Sequence, residues 1–306
     1  MIRIEKQDEI IFSIADDGNK RIIYKPDWHD LALFFTNDCN SKCVICPQTS
    51  DERNGNYLEL NKRLIDLRPK DLYRIGITGG EPTLYKDELI ELLQYVHVAY
   101  PQTPISLLSN GRNFTDRRFV KRLSEINHRR LMFCIPLYAA NYEQHDEIVG
   151  ARNAFRQTLE GIFNLYRFEL PIEIRIVVFK YNYMRLTEFA NFIWRNLPFV
   201  YHIAFMGMEY VGSAELNKDQ FWIDPYHFKD ELESATNYLH RRRMYVSIYN
   251  TPFCLLNESS RQFAHDSISA WKKKYFSACE HCSQKEKCSG WFATSSLESN
   301  FIRPLQ

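Results

Sequence analysis

The chain has no long apolar run and no excess of charge of either sign. No stretch of about 18 apolar residues offers a membrane span, and the opening Met1-Ile-Arg-Ile-Glu-Lys lacks the apolar segment of a signal peptide. The 39 basic and 38 acidic residues leave a net charge of +1, so the overall field favours neither nucleic acid nor an anionic membrane. We interpret the basic runs 241–243 and 272–274 as solvated surface near helix ends.

Cysteine, in contrast, is plentiful, with eight residues in a chain of 306. In a chain without a signal peptide, clustered thiols hold metals more often than they form disulfides, because the compartment is reducing. We therefore expect a cytoplasmic, metal-binding protein. A hydrophobic content of 45% allows one large core or a domain with an appendage.

Strand-like and helix-like segments alternate along most of the chain. Apolar runs predict strands at 31–36, 72–78, 104–109, 130–137, 172–179 and 201–207. Amphipathic patterns predict helices at 58–67, 87–98, 115–125, 153–167, 184–196 and 225–242. Six β/α units predict an α/β fold with a parallel sheet and helical crossovers. They are too few for a complete eight-stranded barrel.

Shorter segments flank these units. Strands at 2–5, 10–14 and 21–24, with a turn at 16–19, predict a β extension at the amino end. Near the other end we expect one more strand at 244–249, a helical pattern over 258–275 and a region rich in cysteine. The predicted division is therefore an N-terminal β extension (1–28), a β/α domain (29–243) and a cysteine-rich region (244–306).

The first chemical motif is a C-x3-C-x2-C triad directly after the strand at 31–36, formed by Cys39, Cys43 and Cys46. Three thiolates on one short loop can hold three irons of a 4Fe–4S cube and leave the fourth iron open to a ligand that is not protein. Structural zinc normally takes four protein ligands, and no fourth Cys or His follows within the loop, while His29 precedes the strand. We favour the iron–sulfur interpretation over zinc or a metal-free thiol cluster.

The second motif, Thr78-Gly-Gly-Glu-Pro, follows the next strand. Its glycines allow a close backbone approach, although the segment alone would be an ordinary turn. Together with the triad it resembles the radical SAM superfamily, whose cluster reduces S-adenosylmethionine (SAM) to a 5'-deoxyadenosyl radical. The resemblance implies a partial (β/α)6 barrel with an open side that admits large substrates such as peptides. It also implies that Gly79, Gly80 and Glu81 bind the amino group of the methionyl moiety.

Further cofactor contacts are implied by the same resemblance. Ser109 and Asn110, at the end of the third strand, correspond to family positions that bind the ribose or the methionyl group. Ile45 stands where the family usually has an aromatic residue that covers the adenine, and Met206 lies where the family contacts that ring. An ordinary Ser-Asn-Gly turn is the alternative for the first two residues.

Polar residues at two other positions have competing interpretations. Arg175, inside the fifth strand, is costly to bury without an anion. Its partner is either the methionyl carboxylate or Glu173, two residues away on the same face of the strand. For His145 and Asp146 we favour a structural role at the start of a helix over acid–base catalysis, so no side chain is singled out as catalytic.

The other cysteines form a second group with the spacing C-x24-C-x2-C-x5-C: Cys254, Cys279, Cys282 and Cys288. Four thiolates can fully ligate one 4Fe–4S cube or one zinc ion. The end of the motif resembles the auxiliary-cluster region of SPASM or twitch domains, which implies one auxiliary 4Fe–4S cluster, with zinc as the alternative. Cys134, in the fourth strand, is expected to be a buried core residue.

A closer resemblance is to the C-type radical SAM maturase of the His-Xaa-Ser peptide system. It is carried, in order along the chain, by Cys46-Pro-Gln, Ile135-Pro-Leu-Tyr, His145-Asp-Glu-Ile-Val-Gly-Ala, Phe199-Val-Tyr-His-Ile-Ala, Val246-Ser-Ile-Tyr-Asn, Ser267-Ile-Ser-Ala-Trp-Lys and Cys288-Ser-Gly-Trp-Phe. The resemblance implies a ribosomally made substrate rich in His-Xaa-Ser repeats, a second radical SAM maturase as partner, and ferredoxin or flavodoxin as reductant.

Only 38 residues precede Cys39, which leaves no room there for a leader-binding domain. We therefore expect the substrate to be captured by a partner or by pairing with an exposed strand edge. The leading functional hypothesis is peptide modification by hydrogen abstraction, followed by cross-linking or, less favoured, epimerisation. The alternatives are a radical SAM enzyme for a small molecule such as a nucleoside, and a zinc-bearing scaffold for a sister maturase.

Overall fold

The structure, a computed structural model, describes residues 3–14, 19–48, 55–67 and 72–306. Residue 2 of the first predicted strand and residues 16–18 of the predicted turn lie outside these ranges. No helix in the described ranges is both long and apolar enough to cross a membrane. By the density of contacts the chain divides into two compact units. The first comprises Met1–Asn40, Ser50–Ile135 and Gln157–Pro171, and the second comprises Ser41–Thr49, Pro136–Arg156 and Ile172–Gln306.

The described ranges contain strands, α-helices and short 3₁₀ helices. In chain order the strands are β1 Arg3–Gln7, β2 Ile10–Ile14, β3 Lys20–Tyr24, β4 Asp30–Phe34, β5 Arg74–Thr78, β6 Ile105–Leu108, β7 Leu131–Pro136, β8 Ile172–Val178, β9 His202–Gly207, β10 Val246–Tyr249, β11 Ala264–His265, β12 Lys273–Lys274 and β13 Trp291–Phe292. The α-helices are α1 Leu58–Asp66, α2 Lys86–Ala99, α3 Arg117–Ser124, α4 Tyr142–Val149, α5 Ala154–Arg167, α6 Leu186–Asn196, α7 Ser213–Leu216, α8 Lys218–Phe221 and α9 Lys229–His240.

The first unit opens with an antiparallel sheet of three strands in the order β1-β2-β3. These strands are short and bury one face, through Ile11, Ile14 and Tyr24. Strands β4 to β7 follow as parallel neighbours, with Leu31 opposite Ile75 across the first pair. The predicted N-terminal β extension is confirmed.

The second unit contributes parallel strands β8 to β11 and the short antiparallel pair β12–β13. Within each unit the parallel strands are neighbours in chain order, β4 to β7 in the first and β8 to β11 in the second, which is the order that short crossovers produce. Residues of β8 and β9 such as Ile174, Ile176 and Ile203 are fully buried, as expected for parallel strands covered by helices. The α/β fold class with a parallel sheet and helical crossovers is therefore confirmed.

Three features of the fold differ from the prediction. Strand β10 pairs in parallel with β9, so it extends the sheet and does not stand apart from it. Helix α4 was missed because one of its three buried residues is a histidine, His145, which breaks the apolar pattern, although the Asn141 side chain caps its start, accepting from the Gln144 N–H at 2.9 Å, and Gly150 ends it.

The helix predicted from the pattern at 258–275 is wrong, since that stretch forms 3₁₀ turns and two-residue strands. The hydroxyls of Ser259 and Ser267 donate instead to Glu233 and Asn250, outside the stretch, and Asp266 Oδ1 accepts from the Ile268 N–H at 3.3 Å. The boundary predicted at 243 stays a prediction.

Candidate active site

In the first unit, the segment that leads into Cys39 lies directly against the Gly-Gly-Glu turn. The Gly80 N–H donates to the Thr36 carbonyl and the Glu81 N–H to the Asp38 carbonyl, both at 2.7 Å. A Cβ atom on Gly79 would lie 2.5 Å from the Thr36 oxygen, and one on Gly80 would lie 2.3 Å from the Asp38 oxygen. These glycines thus permit a close backbone approach. The group they approach is the cysteine loop itself, and the predicted approach to a ligand stays a prediction.

The Glu81 side chain joins the ends of β5 and β6. It is fully buried and accepts from the Thr83 N–H at 3.1 Å and hydroxyl at 2.5 Å, the Ser109 hydroxyl at 2.8 Å and the Asn110 N–H at 2.6 Å. Burial raises the pKa of Glu81 and outweighs these hydrogen bonds, which lower it. The Glu81 carboxyl and the Ser109 hydroxyl are thus hydrogen-bonded to each other. Their contacts with SAM stay predictions.

Arg112, which the sequence analysis did not single out, holds the residue after Cys39. Its Nη1 donates to the Asn40 carbonyl at 2.5 Å, while its Nε donates to Gln157 Oε1 at 2.7 Å. Asn110 Nδ2 donates to Asn40 Oδ1 at 2.6 Å. The sequence signal for Arg112 is its place at the end of the Ser109-Asn-Gly-Arg turn, where its long side chain can donate to the cysteine loop.

In the second unit, the end of α4 holds the loop around Cys43. The Lys42 N–H donates to the Val149 carbonyl and the Val44 N–H to the Ile148 carbonyl, both at 2.9 Å. Gly150, at φ +60°, would place a Cβ atom 2.5 Å from the Lys42 oxygen. This position therefore needs glycine both for its left-handed backbone and for the contact.

Helix α7 holds the same loop near Cys46. The Ser213 N–H donates to the Cys46 carbonyl at 2.9 Å, and Asn217 Nδ2 donates to the Val44 carbonyl at 2.9 Å. The Gln48 N–H lies 3.4 Å from the Cys46 sulfur, a donor of the kind that stabilises a thiolate. Burial raises the pKa of Cys46, and that N–H opposes the rise. Neither Ser213 nor Asn217 was expected from the sequence.

Two residues predicted to contact adenine have different surroundings. Ile45 is 5% exposed and lies in an apolar cluster of the second unit with Tyr138, Phe179 and Met208. Met206, near the end of β9, is half-buried. The adenine contacts of both stay predictions.

Arg175 pairs with Glu173, which is one of the two partners considered. Its Nε lies 2.5 Å from Glu173 Oε1. The other carboxylate oxygen lies 2.7 Å from His202 Nδ1 and accepts from the Tyr249 hydroxyl at 3.2 Å, and His202 Nε2 lies 2.8 Å from the Ser247 hydroxyl. Burial raises the pKa of Glu173, but Arg175 and His202 outweigh it, so the net pKa is lowered. A contact of Arg175 with the methionyl carboxylate stays a prediction.

His145 and Asp146 have structural contacts. His145 is 2% exposed, and its Nδ1 lies 3.4 Å from the Tyr138 N–H. Asp146 Oδ1 accepts from the Phe155 N–H at 2.7 Å in the first turn of α5. Asp146 thus has a structural role at the start of a helix, that of α5, whereas His145 lies within α4 and bonds to the backbone before it.

The four C-terminal cysteines line one pocket, together with aromatic and aliphatic side chains. Cys254 is buried and the other three are partly exposed. Burial raises the pKa of Cys254 and Cys288, while backbone N–H groups, those of Phe253 and Gly290 at Cys288, lower it. Peptide donors aimed at thiols fit a site that holds thiolates on a cluster or a metal ion.

Cys134, at 1% exposure in β7, is a core residue, as predicted. As the side chains stand, no three His, Cys, Asp or Glu groups in the described ranges are drawn together as metal ligands. The assignments of cysteines to metals stay predictions.

Comparison with protein families identifies the class. The model of the radical SAM superfamily matches residues 33–193, more than half of the chain. The chain therefore belongs to the radical SAM superfamily. Membership implies a 4Fe–4S cluster and SAM.

Two curated relatives have different names. The probable GTP 3',8-cyclase of Saccharolobus islandicus is 28% identical over 228 residues, which cover 71% of this chain and 70% of the relative. The AdoMet-dependent heme synthase of Methanosarcina barkeri is 29% identical over 184 residues, or 58% of this chain and 50% of the relative.

Solved structures share the fold. SuiB of Streptococcus suis bound to S-adenosylmethionine gives a TM-score of 0.59 at 17% identity over 74% of this chain, which spans only 51% of SuiB. The enzyme anSMEcpe with AdoMet and the Cp18Cys peptide gives 0.61 at 15% identity, covering 90% of this chain and 92% of that one. At these identities the likeness shows the fold alone.

Gly150→Ala should disturb the cysteine loop more than backbone strain alone explains. Gly55 is the matched control, because its φ is +72° but a Cβ atom there meets only the Tyr85 hydroxyl, at 3.9 Å. We expect Gly55→Ala to cost about 1 kcal/mol from the left-handed backbone, and Gly150→Ala about 1–3 kcal/mol more from the contact. Urea unfolding and iron content of both variants provide the measurement. Equal losses of unfolding free energy in the two variants would show that the contact with the Lys42 oxygen adds no cost.

Glu173→Gln should lower the free energy of unfolding at pH 7 by about 3 kcal/mol, because it leaves the partly buried Arg175 without its carboxylate. Because the folded pKa of Glu173 is lowered, its contribution is complete above the ordinary value of about 4.3 and declines below it. The gap between wild type and variant should therefore narrow only at acid pH. Glu188→Gln, in an exposed pair with Arg185, should cost under about 1 kcal/mol. A similar loss of unfolding free energy in both variants would show that the Glu173 pair contributes no more than the exposed pair.

Proposed function

We propose that this chain is a radical SAM enzyme that cleaves SAM reductively at a 4Fe–4S cluster held by Cys39, Cys43 and Cys46. The observation that carries the proposal is that the backbone next to these cysteines is held by hydrogen bonds. Cys39 lies between the held residues Asp38 and Asn40, and the Cys46 carbonyl accepts from the α7 backbone. A three-thiolate cluster would supply the electron that cleaves SAM.

The residues of this chain would orient the bound cofactor. The turn of Gly79 and Gly80 would present backbone groups to the methionyl amino group, with Glu81 and Ser109 fixing the turn, and Asn110 beside them would reach the ribose or the methionyl group. Ile45 and Met206 would border the adenine, and Arg175 would meet the methionyl carboxylate.

A second part of the proposal is one auxiliary 4Fe–4S cluster on the C-terminal cysteines. Its support is the shared pocket and the peptide N–H groups aimed at the thiols. Four thiolates leave no open iron, so such a cluster would carry electrons and would not bind substrate directly. Zinc in the same pocket is the competing assignment.

We infer a ribosomally made peptide, bearing His-Xaa-Ser motifs, as the substrate. The motifs shared with the C-type maturase support this assignment, and anSMEcpe, similar in fold, was solved with a peptide bound. The reaction we favour is cross-linking, with a sister maturase as partner and a low-potential ferredoxin or flavodoxin as reductant, in the cytoplasm. Epimerisation needs a hydrogen donor, and Cys134, outside both cysteine groups, is buried.

A small nucleotide is the second candidate substrate. It is favoured by the 28% identity to a probable GTP 3',8-cyclase over 71% of the chain. The four-cysteine pocket argues against it where the nucleotide would need an open auxiliary iron. Incubation with GTP and SAM under reducing conditions separates the two, because only this candidate predicts a GTP-derived product.

Replacing Cys39, Cys43 and Cys46 together by Ala should abolish formation of 5'-deoxyadenosine. Reconstituted wild type should hold about eight irons, the content of two cubes, and the triple variant about four. Cys282→Ala should lose the other four, and Cys134→Ala, as control, should keep both cleavage and iron. A fully loaded wild type that forms no more deoxyadenosine than the triple variant would refute the assignment. One equivalent of zinc that remains after anaerobic reconstitution would refute the auxiliary cluster.

Coexpression with a His-Xaa-Ser repeat peptide should produce a mass loss of about two hydrogens per cross-link. One hydrogen atom would pass to the 5'-deoxyadenosyl radical, giving 5'-deoxyadenosine, and a second would leave as a proton while its electron passes to an acceptor such as the auxiliary cluster. Intact and tandem mass spectrometry, with and without the sister maturase, provides the measurement. Unmodified peptide with both maturases and a working reductant would count against the substrate. An unchanged mass with D-residues would replace cross-linking by epimerisation.

A further inference from the structure

Residues 299–305, which we call the strap, are anchored beside the C-terminal cysteine pocket. Asp224, only 7% exposed, accepts from the Ser299 hydroxyl at 2.8 Å and from the Asn300 N–H at 3.1 Å. The next side chain, Phe301, stacks on Tyr226 with ring centroids 4.1 Å apart and an interplanar angle of 7°. A buried carboxylate and a stacked aromatic pair thus fix the first half of the strap.

The second half of the strap lines the pocket. Ile302, Arg303 and Leu305 are among the residues around the four cysteines. The Leu305 N–H donates to the Cys282 sulfur at 3.3 Å, and the Leu305 carbonyl accepts from both the N–H and the hydroxyl of Ser283 at 3.0 Å. The strap therefore both donates a hydrogen bond to the cysteine segment and accepts hydrogen bonds from it.

The strap also lies beside another cysteine. Arg303 of the strap and Cys254 line the same pocket. Cys254 and Cys282 are separated by 27 intervening residues in sequence, yet the same short strap borders both. Ordinary chain packing requires no donor to a sulfur such as the Leu305 N–H, whereas sulfur ligands of a metal site are commonly hydrogen-bonded.

We propose that the strap is an integral part of the auxiliary metal site, forming one wall of it and donating a peptide hydrogen bond to its Cys282 sulfur ligand. The inference rests on the proposed function in that it takes the pocket to hold a metal centre. Hydrogen bonds to sulfur stabilise the more negative, reduced state of a cluster and raise its reduction potential. A site whose four ligands are all cysteines exchanges electrons and takes no substrate ligand.

The first test removes one donor. Leu305→Pro deletes the N–H that reaches Cys282, and Leu305→Ala keeps it while shortening the same side chain. Both are made in the full chain on the background with Cys39, Cys43 and Cys46 replaced by Ala, so that only the auxiliary centre titrates. We expect equal iron contents and a more negative potential for Leu305→Pro than for Leu305→Ala in an EPR-monitored redox titration. Equal potentials would overturn the role of the donor.

The second test loosens the anchor without touching the pocket. Asp224→Asn removes the charge that holds Ser299 and Asn300, and Asp219→Asn on α8 is the control. We expect a chelator to extract the auxiliary metal at least about tenfold faster from Asp224→Asn, the size of effect that outer hydrogen bonds have on metal sites.

Metal analysis separates the two proposals. Zinc released faster from Asp224→Asn would refute the auxiliary cluster and support the strap. Iron released at the wild-type rate would support the cluster and overturn the strap.

Discussion

The peptide groups of residues 37–48 have no helix or strand to pair them, because this stretch is irregular throughout. Polar backbone withdrawn from water must find partners, and here they come from the ends of other elements. The Glu81 N–H and the Arg112 side chain hold the residues on either side of Cys39, and the ends of α4 and α7 hold the stretch from Lys42 to Cys46. The position of the thiols thus depends on strand ends and helix ends.

Buried carboxylates organise the surroundings of these sites. Glu81 joins the ends of β5 and β6, and Glu173 joins Arg175 to His202 inside the second unit. Asp224 anchors the strap beside the C-terminal cysteines. Each collects several donors, which offsets the cost of withdrawing a carboxylate from water. Glu81 and Arg175, which the sequence suggests as cofactor contacts, therefore already have hydrogen-bond partners within the protein.

The alternation of parallel strands and longer helices was predictable from sequence, because it follows from hydrophobic period and length. Helix α4 was missed since His145 interrupts its apolar stripe. The helix at 258–275 was predicted wrongly because serines of that stretch bond to residues outside it, which the sequence does not show. Residue types near the site were predictable, but partners were not: nothing in the sequence distinguishes Glu81 as a ligand from Glu81 as the partner of Ser109. Arg112 and Asn217 gain their roles only through folding, since their contacts are 72 and 173 residues away.

The central claim is that the triad holds a cluster with one iron open to SAM. The most direct measurement is the EPR spectrum of the reduced, reconstituted protein with and without SAM. We predict that SAM changes the signal of wild type and leaves that of the variant lacking Cys39, Cys43 and Cys46 unchanged, because only the triad leaves an iron open. Identical wild-type spectra with and without SAM, at full iron loading, would contradict it.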